Sequence, residues 1–236
     1  MTNKHTTKAI LVDLDDTLLD FTYLTKSRIR YATSYIKSEL TDTEAKCIVE
    51  EFDKITHNLA SRDAWGETTR MDRINHAVCK AGIHSTDIAE KLCHIYANAL
   101  DQGIRLLNGA KELLHEARHC EVCLITNGES KRQRLKVELL GIEDLLDHII
   151  ISGEFGSQKP DPSIFEHALS ITGAQPQEAI MVGDNENTDI QGAVAAKIPS
   201  IWINRFGRTL PPDFSKPPII VPDTKEAASQ LQYLIR

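Results

Sequence analysis

Three acids crowd together at Asp13, Asp15 and Asp16, immediately behind the apolar run Ala9-Ile10-Leu11-Val12. Four apolar residues bounded by turn formers predict a short strand buried on both faces, as in a parallel sheet. In open α/β sheets ligands sit beyond the carboxyl ends of the strands, so chemistry is expected at this end. A carboxylate at the strand tip, Asp13, can attack phosphorus as a covalent nucleophile. Asp15, two residues on, can protonate a leaving oxygen and later take a proton from water. Carboxylates packed this closely repel one another and are costly to bury without a cation. Asp13, Asp184 and a backbone carbonyl near Asp15 offer the hard oxygen ligands of an octahedral Mg²⁺ that keeps some waters.

Three later stretches supply complementary groups. Thr126-Asn127-Gly128 closes the apolar run Val122-Cys123-Leu124-Ile125 and opens a helix, so the Thr126 hydroxyl and the N–H groups at Asn127 and beyond suit phosphate oxygens. Lys159, ahead of Pro160-Asp161-Pro162, offers a point cation. Gly183-Asp184 ends the run Ala179-Ile180-Met181-Val182, with Asp189 five residues further on. Metal, lysine and helix N-terminus together would stabilise the charge of phosphoryl transfer. Each stretch has a plainer reading by itself: an acidic turn, a strand-to-helix turn, a solvated lysine, a pair of helix caps. Their succession at consecutive strand ends is what argues for a site.

The elements that must position these groups follow from periodicity. Strands are predicted at 8–13, 122–126, 148–152, 179–184 and 200–203, with an edge strand at 219–221. Helices fall between them, at about 109–118, 129–140, 161–172 and 188–197, and a last helix is capped by Asp223. This alternation predicts a doubly wound, Rossmann-like parallel sheet of the α/β class. From about residue 20 the pattern becomes all-helical: 22–39, a helix behind the capping box Thr41-Asp42-Thr43-Glu44, 67–81, and one beginning near Ser85. An all-α helical-bundle cap domain at 20–102 is therefore expected inside a core formed by 1–19 and 103–236. The Pro-rich piece 211–218 reads as a surface loop.

The totals narrow the classes. The chain has 236 residues, 41% hydrophobic and 26% charged, and carries a net charge of −7. That balance gives no support for binding a nucleic acid polymer or a membrane surface. No apolar run reaches the roughly 18 residues of a membrane span, and the start lacks the apolar segment of a signal peptide. A cytoplasmic monomer or homodimer acting on a small phosphorylated metabolite is expected. Five cysteines, an odd number, fit reduced thiols. Cys120-Glu-Val-Cys123 has redox or zinc spacing, but it runs into a strand and no second pair completes a metal site.

Asp13-Leu14-Asp15-Asp16-Thr17, Thr126 after Leu124-Ile125, Lys159 in Gln158-Lys159-Pro160-Asp161-Pro162, and Gly183-Asp184 with Asp189 resemble, in order, the four motifs of the haloacid dehalogenase superfamily. The resemblance spans residues 8–203. It implies Mg²⁺ and a phospho-aspartyl intermediate on Asp13; Asp189 either touches the metal or only orients Lys159, and the orienting role is the one expected. The helical insert is similar to the cap of the phosphoglycolate-phosphatase-like branch. Leu18-Leu19-Asp20-Phe21, the run 151–156 and Thr188-Asp189-Ile190-Gln191-Gly192-Ala193 look most like nucleoside 5′-monophosphatases and N-acylneuraminate-9-phosphatases. In the dehalogenases proper the position of Asp15 is not an acid, so the resemblance implies phosphate ester hydrolysis. A sugar phosphomutase and a non-catalytic binding protein on the same fold are the alternatives. Substrate choice is expected from the cap, with Phe21, Trp65 and Arg70 foremost, then Tyr23 and Arg62. Asp16 reads as a turn residue, and Arg205 and Arg208 as solvated loop residues.

Overall fold

The computed structural model describes residues 6–62, 68–210 and 217–235, with the side chain of Arg62 left aside. The chain divides into two compact units, Met1–Asp20 with Leu106–Arg236, and Phe21–Arg105. Asp20 falls with the sheet, where its carboxylate lies 3.7 Å from Arg205. Residues 103–105 fall with the helices: Gly103 packs on Ser27, and the Arg105 guanidinium lies 3.3 Å above the Tyr23 ring.

The sheet unit has six strands, β1 (Ala9–Val12), β2 (Glu121–Thr126), β3 (His148–Ile151), β4 (Ala179–Gly183), β5 (Ser200–Ile203) and β6 (Ile219–Val221). They pair in parallel in the order β3-β2-β1-β4-β5-β6. Register decides what meets at the carboxyl ends. Val12 lies opposite Leu124 on one side and Val182 on the other. The chain therefore leaves β1 at Asp13, β2 at Asn127 and β4 at Asp184 side by side. Strands β1 and β4 are buried along their whole length, as sheets covered on both faces require.

The helical unit holds α1 (Phe21–Tyr35), α2 (Asp42–Arg62), α3 (Arg70–Lys80) and α4 (Thr86–Asn98). Ile29, Ile48, Phe52, Ile74, Leu92 and Tyr96 form its core. The helix expected over 22–39 stops at Tyr35, and a 3₁₀ turn takes Lys37–Glu39. Helix α3 begins at Arg70 because Thr69 and Asp72 form a reciprocal capping box there. The Thr41–Glu44 box is present as well, with Glu44 N–H donating to Thr41 Oγ1 at 3.2 Å and Thr41 N–H to Glu44 Oε2 at 2.7 Å.

Around the sheet lie α5 (Ala110–Ala117), α6 (Ser130–Leu140), α7 (Ser152–Phe155), α8 (Pro162–Thr172), α9 (Gln191–Ala195) and α10 (Thr224–Ile235). Asp161 caps α8 by accepting from Ser163 N–H at 2.9 Å, with Pro162 in the first turn. The helix expected over 188–197 is different: a π turn spans Glu186–Ile190 before α9 begins. Asn185 causes this start, its side chain accepting from the N–H groups of Asn187 and Thr188. Strand β6 is the expected edge, with Ile219 and Ile220 exposed. Most of the loop expected at 211–218 lies outside the described residues. No described helix is long and apolar enough to cross a membrane.

Cys123 is buried in β2, and burial pushes its thiol up to about 12. Cys79 is exposed. Reactivity follows thiolate content and access. Iodoacetamide at pH 8 is therefore expected to label Cys79 in the native chain and Cys123 only after denaturation, read by mass spectrometry of tryptic peptides.

Candidate active site

Lys159 is almost completely buried, 1% exposed. Its Nζ donates to Asp13 Oδ1 at 2.6 Å and to the Ile125 carbonyl at 2.7 Å, and it lies 2.7 Å from Asp189 Oδ1. Three acceptors match the three N–H donors of an ammonium. The backbone that presents Lys159 is held by Asn127. The Asn127 amide donates to the Lys159 carbonyl and accepts from the Lys159 N–H, both at 2.9 Å. The Asn127 side chain thus clamps the lysine loop, while the expected phosphate contact is that of its backbone N–H. Asp189 comes from the π turn, is fully buried, and accepts from Asn185 N–H at 3.1 Å through its other oxygen.

Asp13, Asp184 and Asp189 each bring one carboxylate oxygen to within 4.8 Å of the others. Burial, opposed by Lys159 and aided by Asp189, pushes Asp13 up to about 7. Burial and the nearby charges of Asp16, Asp13 and Asp189 hold Asp184 well above the usual carboxylate range, against the pull of Arg208. Burial would discharge Lys159, but Asp13 and Asp189 outweigh it and keep the ammonium charged. Buried anionic oxygens that repel one another at this spacing fit a hard divalent cation such as Mg²⁺, with Asp13 and Asp184 as the residues that would hold it.

Two readings of the surroundings need correction, and a third holds with an addition. Arg208 is not a solvated loop residue: its side chain is 7% exposed, bonds the Asp184 carbonyl, and lies 3.4 Å from Asp184 Oδ2 and 3.1 Å from Glu186 Oε2. Arg205 donates to Asp16 Oδ1 at 2.7 Å. Asp16 does hold a turn, with φ of 58°, yet its carboxylate is buried and its charge bears on Asp184.

Asp15 sits apart from the acid cluster. Both of its oxygens accept from Lys136 Nζ, at 2.8 and 2.7 Å. Gln133 Nε2 lies 2.5 Å from Thr126 Oγ1 and 3.3 Å from Asp15 Oδ2. Neither α6 residue was among the expected site residues. The available signal was their three-residue spacing on the helix that opens behind Thr126, which puts them on one face. Phe21 and Arg70 belong to the helical unit, where Phe21 opens α1 and the Arg70 guanidinium lies 5.6 Å from the Tyr96 ring centre. Trp65 lies outside the described residues.

A parallel sheet with acids, a buried lysine and a hydroxyl at its carboxyl ends defines a hydrolase of the haloacid dehalogenase type, and comparison agrees. The family model described as haloacid dehalogenase-like hydrolase matches residues 7–197. The chain belongs to this family. It is 30% identical over 234 residues to the N-acylneuraminate-9-phosphatase of Mus musculus, covering 95% of this chain and 94% of that one. It is 35% identical over 123 residues to the pyrimidine 5′-nucleotidase YjjG of Escherichia coli, covering 51% and 55%. The crystal structure of the HAD-hydrolase YfnB from Bacillus subtilis, bound to magnesium, superposes with a TM-score of 0.75 at 23% identity, covering 96% of this chain and 99% of that one. That likeness bears on the fold. The family and its phosphatase-named relatives are consistent with a phosphoric monoester hydrolase.

Two outcomes follow from the geometry. A Cβ on Gly183 would lie 2.3 Å from Asp189 Oδ2. Gly183→Ala is therefore expected to displace the Lys159 anchor and to cost about 1–3 kcal/mol in urea unfolding. Asp13 is raised from 3.8 to about 7, so the folded chain binds more protons than the unfolded one between those values. Stability then falls as pH rises through that window. In EDTA the melting temperature should decline from pH 5 to pH 8 more steeply in the wild type than in Asp13→Asn, and Mg²⁺ should raise it more at pH 8 than at pH 5.

Proposed function

We propose that this chain is a Mg²⁺-dependent phosphatase that hydrolyses a small-molecule phosphate monoester through a phospho-aspartyl intermediate on Asp13. The observation that carries the reading is the contact of Asp13 with the buried Lys159 ammonium beside Asp184 and Asp189. An Asp13 oxygen bonds to phosphorus while the ester P–O bond breaks, and the leaving oxygen takes a proton from Asp15. Water then gives its proton to Asp15 as its oxygen bonds to phosphorus, and the Asp13–phosphorus bond breaks. Lys159 offsets charge on the attacking carboxylate and the phosphoryl oxygens. The Thr126 hydroxyl and the N–H groups behind it receive the phosphate. Magnesium, when bound at Asp13 and Asp184, supplies neutralisation of phosphate charge.

For the substrate, a phosphorylated sugar or sugar acid is favoured over a nucleoside 5′-monophosphate. The mouse relative named for a sugar-acid phosphate matches across 95% of this chain, helical unit included, whereas the nucleotidase matches across 51%. Phosphate release with Mg²⁺ should be measured across sugar phosphates, sugar-acid phosphates, nucleoside monophosphates and short acid phosphates. The expected result is preference for the sugar class, lost to background in Asp13→Asn while the circular dichroism spectrum is unchanged. Turnover retained by Asp13→Asn would sink the mechanism, and preference for nucleotides would sink the substrate assignment.

A further inference from the structure

Helix α6 carries two buried polar side chains that the four-motif pattern leaves out. Lys136 is 6% exposed and Gln133 is 2% exposed. Lys136 Nζ meets both oxygens of Asp15, at 2.8 and 2.7 Å. Gln133 Nε2 stands between Thr126 Oγ1 at 2.5 Å, the Asn127 carbonyl at 3.1 Å and Asp15 Oδ2 at 3.3 Å. One helical turn therefore touches the proposed acid–base carboxylate and the proposed phosphate-binding hydroxyl together.

We infer that Lys136 is a positioning residue for Asp15, holding its carboxylate where it meets the leaving oxygen, with Gln133 tying that carboxylate to Thr126. The inference rests on the phosphatase reading and extends it to two residues. Its physical basis is the freedom of an aspartate. The Asp15 side chain is 28% exposed, so without a partner it would rotate among staggered positions in contact with water. An ammonium shared by both oxygens selects one of them. Burying a lysine is costly unless its charge is met. Here the fold takes that cost on α6 and directs the charge at Asp15. Acid–base help works only within hydrogen-bond reach of the reacting oxygen, so orientation is where such a contact acts.

The test separates leaving groups. An alkyl phosphate needs its leaving oxygen protonated, whereas p-nitrophenolate leaves without a proton. For Lys136→Met, kcat/KM on the best alkyl phosphate should fall by roughly tenfold to a hundredfold, through kcat rather than KM, while kcat/KM on p-nitrophenyl phosphate stays within about threefold. Asp15→Asn should show the same pattern, more strongly. Lys136→Arg, which keeps a cation at this place, should recover most of the loss. If Lys136→Met does not fold by circular dichroism, Lys136→Gln serves in its place. An equal loss on both esters, or a loss confined to KM, overturns the positioning role while leaving the phosphatase reading intact. Wild-type protein that releases phosphate from neither ester overturns that reading and the positioning role with it.

Discussion

A buried ammonium between two buried carboxylates is the interaction on which the rest of the sheet unit depends. Desolvating these charges costs several kcal/mol per ion, and their attraction repays it only when the geometry is excellent. Three requirements follow for the chain. The backbone at Lys159 must be fixed, which Asn127 does with a pair of 2.9 Å bonds. Asp189 must reach back toward β4, which the π turn started by Asn185 allows. Room must exist beside that carboxylate, which glycine at 183 provides. Replacing such a trio with apolar side chains is often no loss to stability, and the function proposed above gives it a role in chemistry at Asp13.

Much of this was legible in the sequence, for a definite reason. Buried parallel strands are short apolar runs, and a polar residue that ends such a run announces the strand's carboxyl end. Asp13, Thr126 and Asp184 all follow from that rule, and the parallel register brings their strand ends side by side. The caps at Thr41 and Asp161 were legible because capping is local, satisfied within three residues.

What stayed hidden was the fate of long polar side chains. Arg208, Arg205, Lys136 and Gln133 look like ordinary surface residues in sequence because helical and loop positions tolerate them when solvated. Their burial is decided by acids that are distant in sequence: Asp16 lies 189 residues from Arg205, and Asp15 121 from Lys136. Asn127 shows the converse. Its position at a strand-to-helix turn points to its backbone N–H, but nothing local shows that its side chain is committed to the backbone of Lys159, a partner 32 residues away. The π turn was likewise invisible, since it comes from one side chain capping two amides rather than from periodicity.

The charges at the strand ends have a sign that bears on function. Asp13, Asp16, Asp184, Glu186 and Asp189 face Lys159, Arg205 and Arg208, so among these residues carboxylates outnumber cations. Burial first, and then the neighbouring carboxylates, raise both Asp13 and Asp184. On the proposed reading, a phosphate dianion entering such a place would meet repulsion from Asp13. Asp13 and Asp184 would hold a divalent cation here, and it would supply the positive charge that offsets this repulsion. The surplus of acids is what a cation at Asp13 and Asp184 would balance, beside a Lys159 whose ammonium already meets three acceptors.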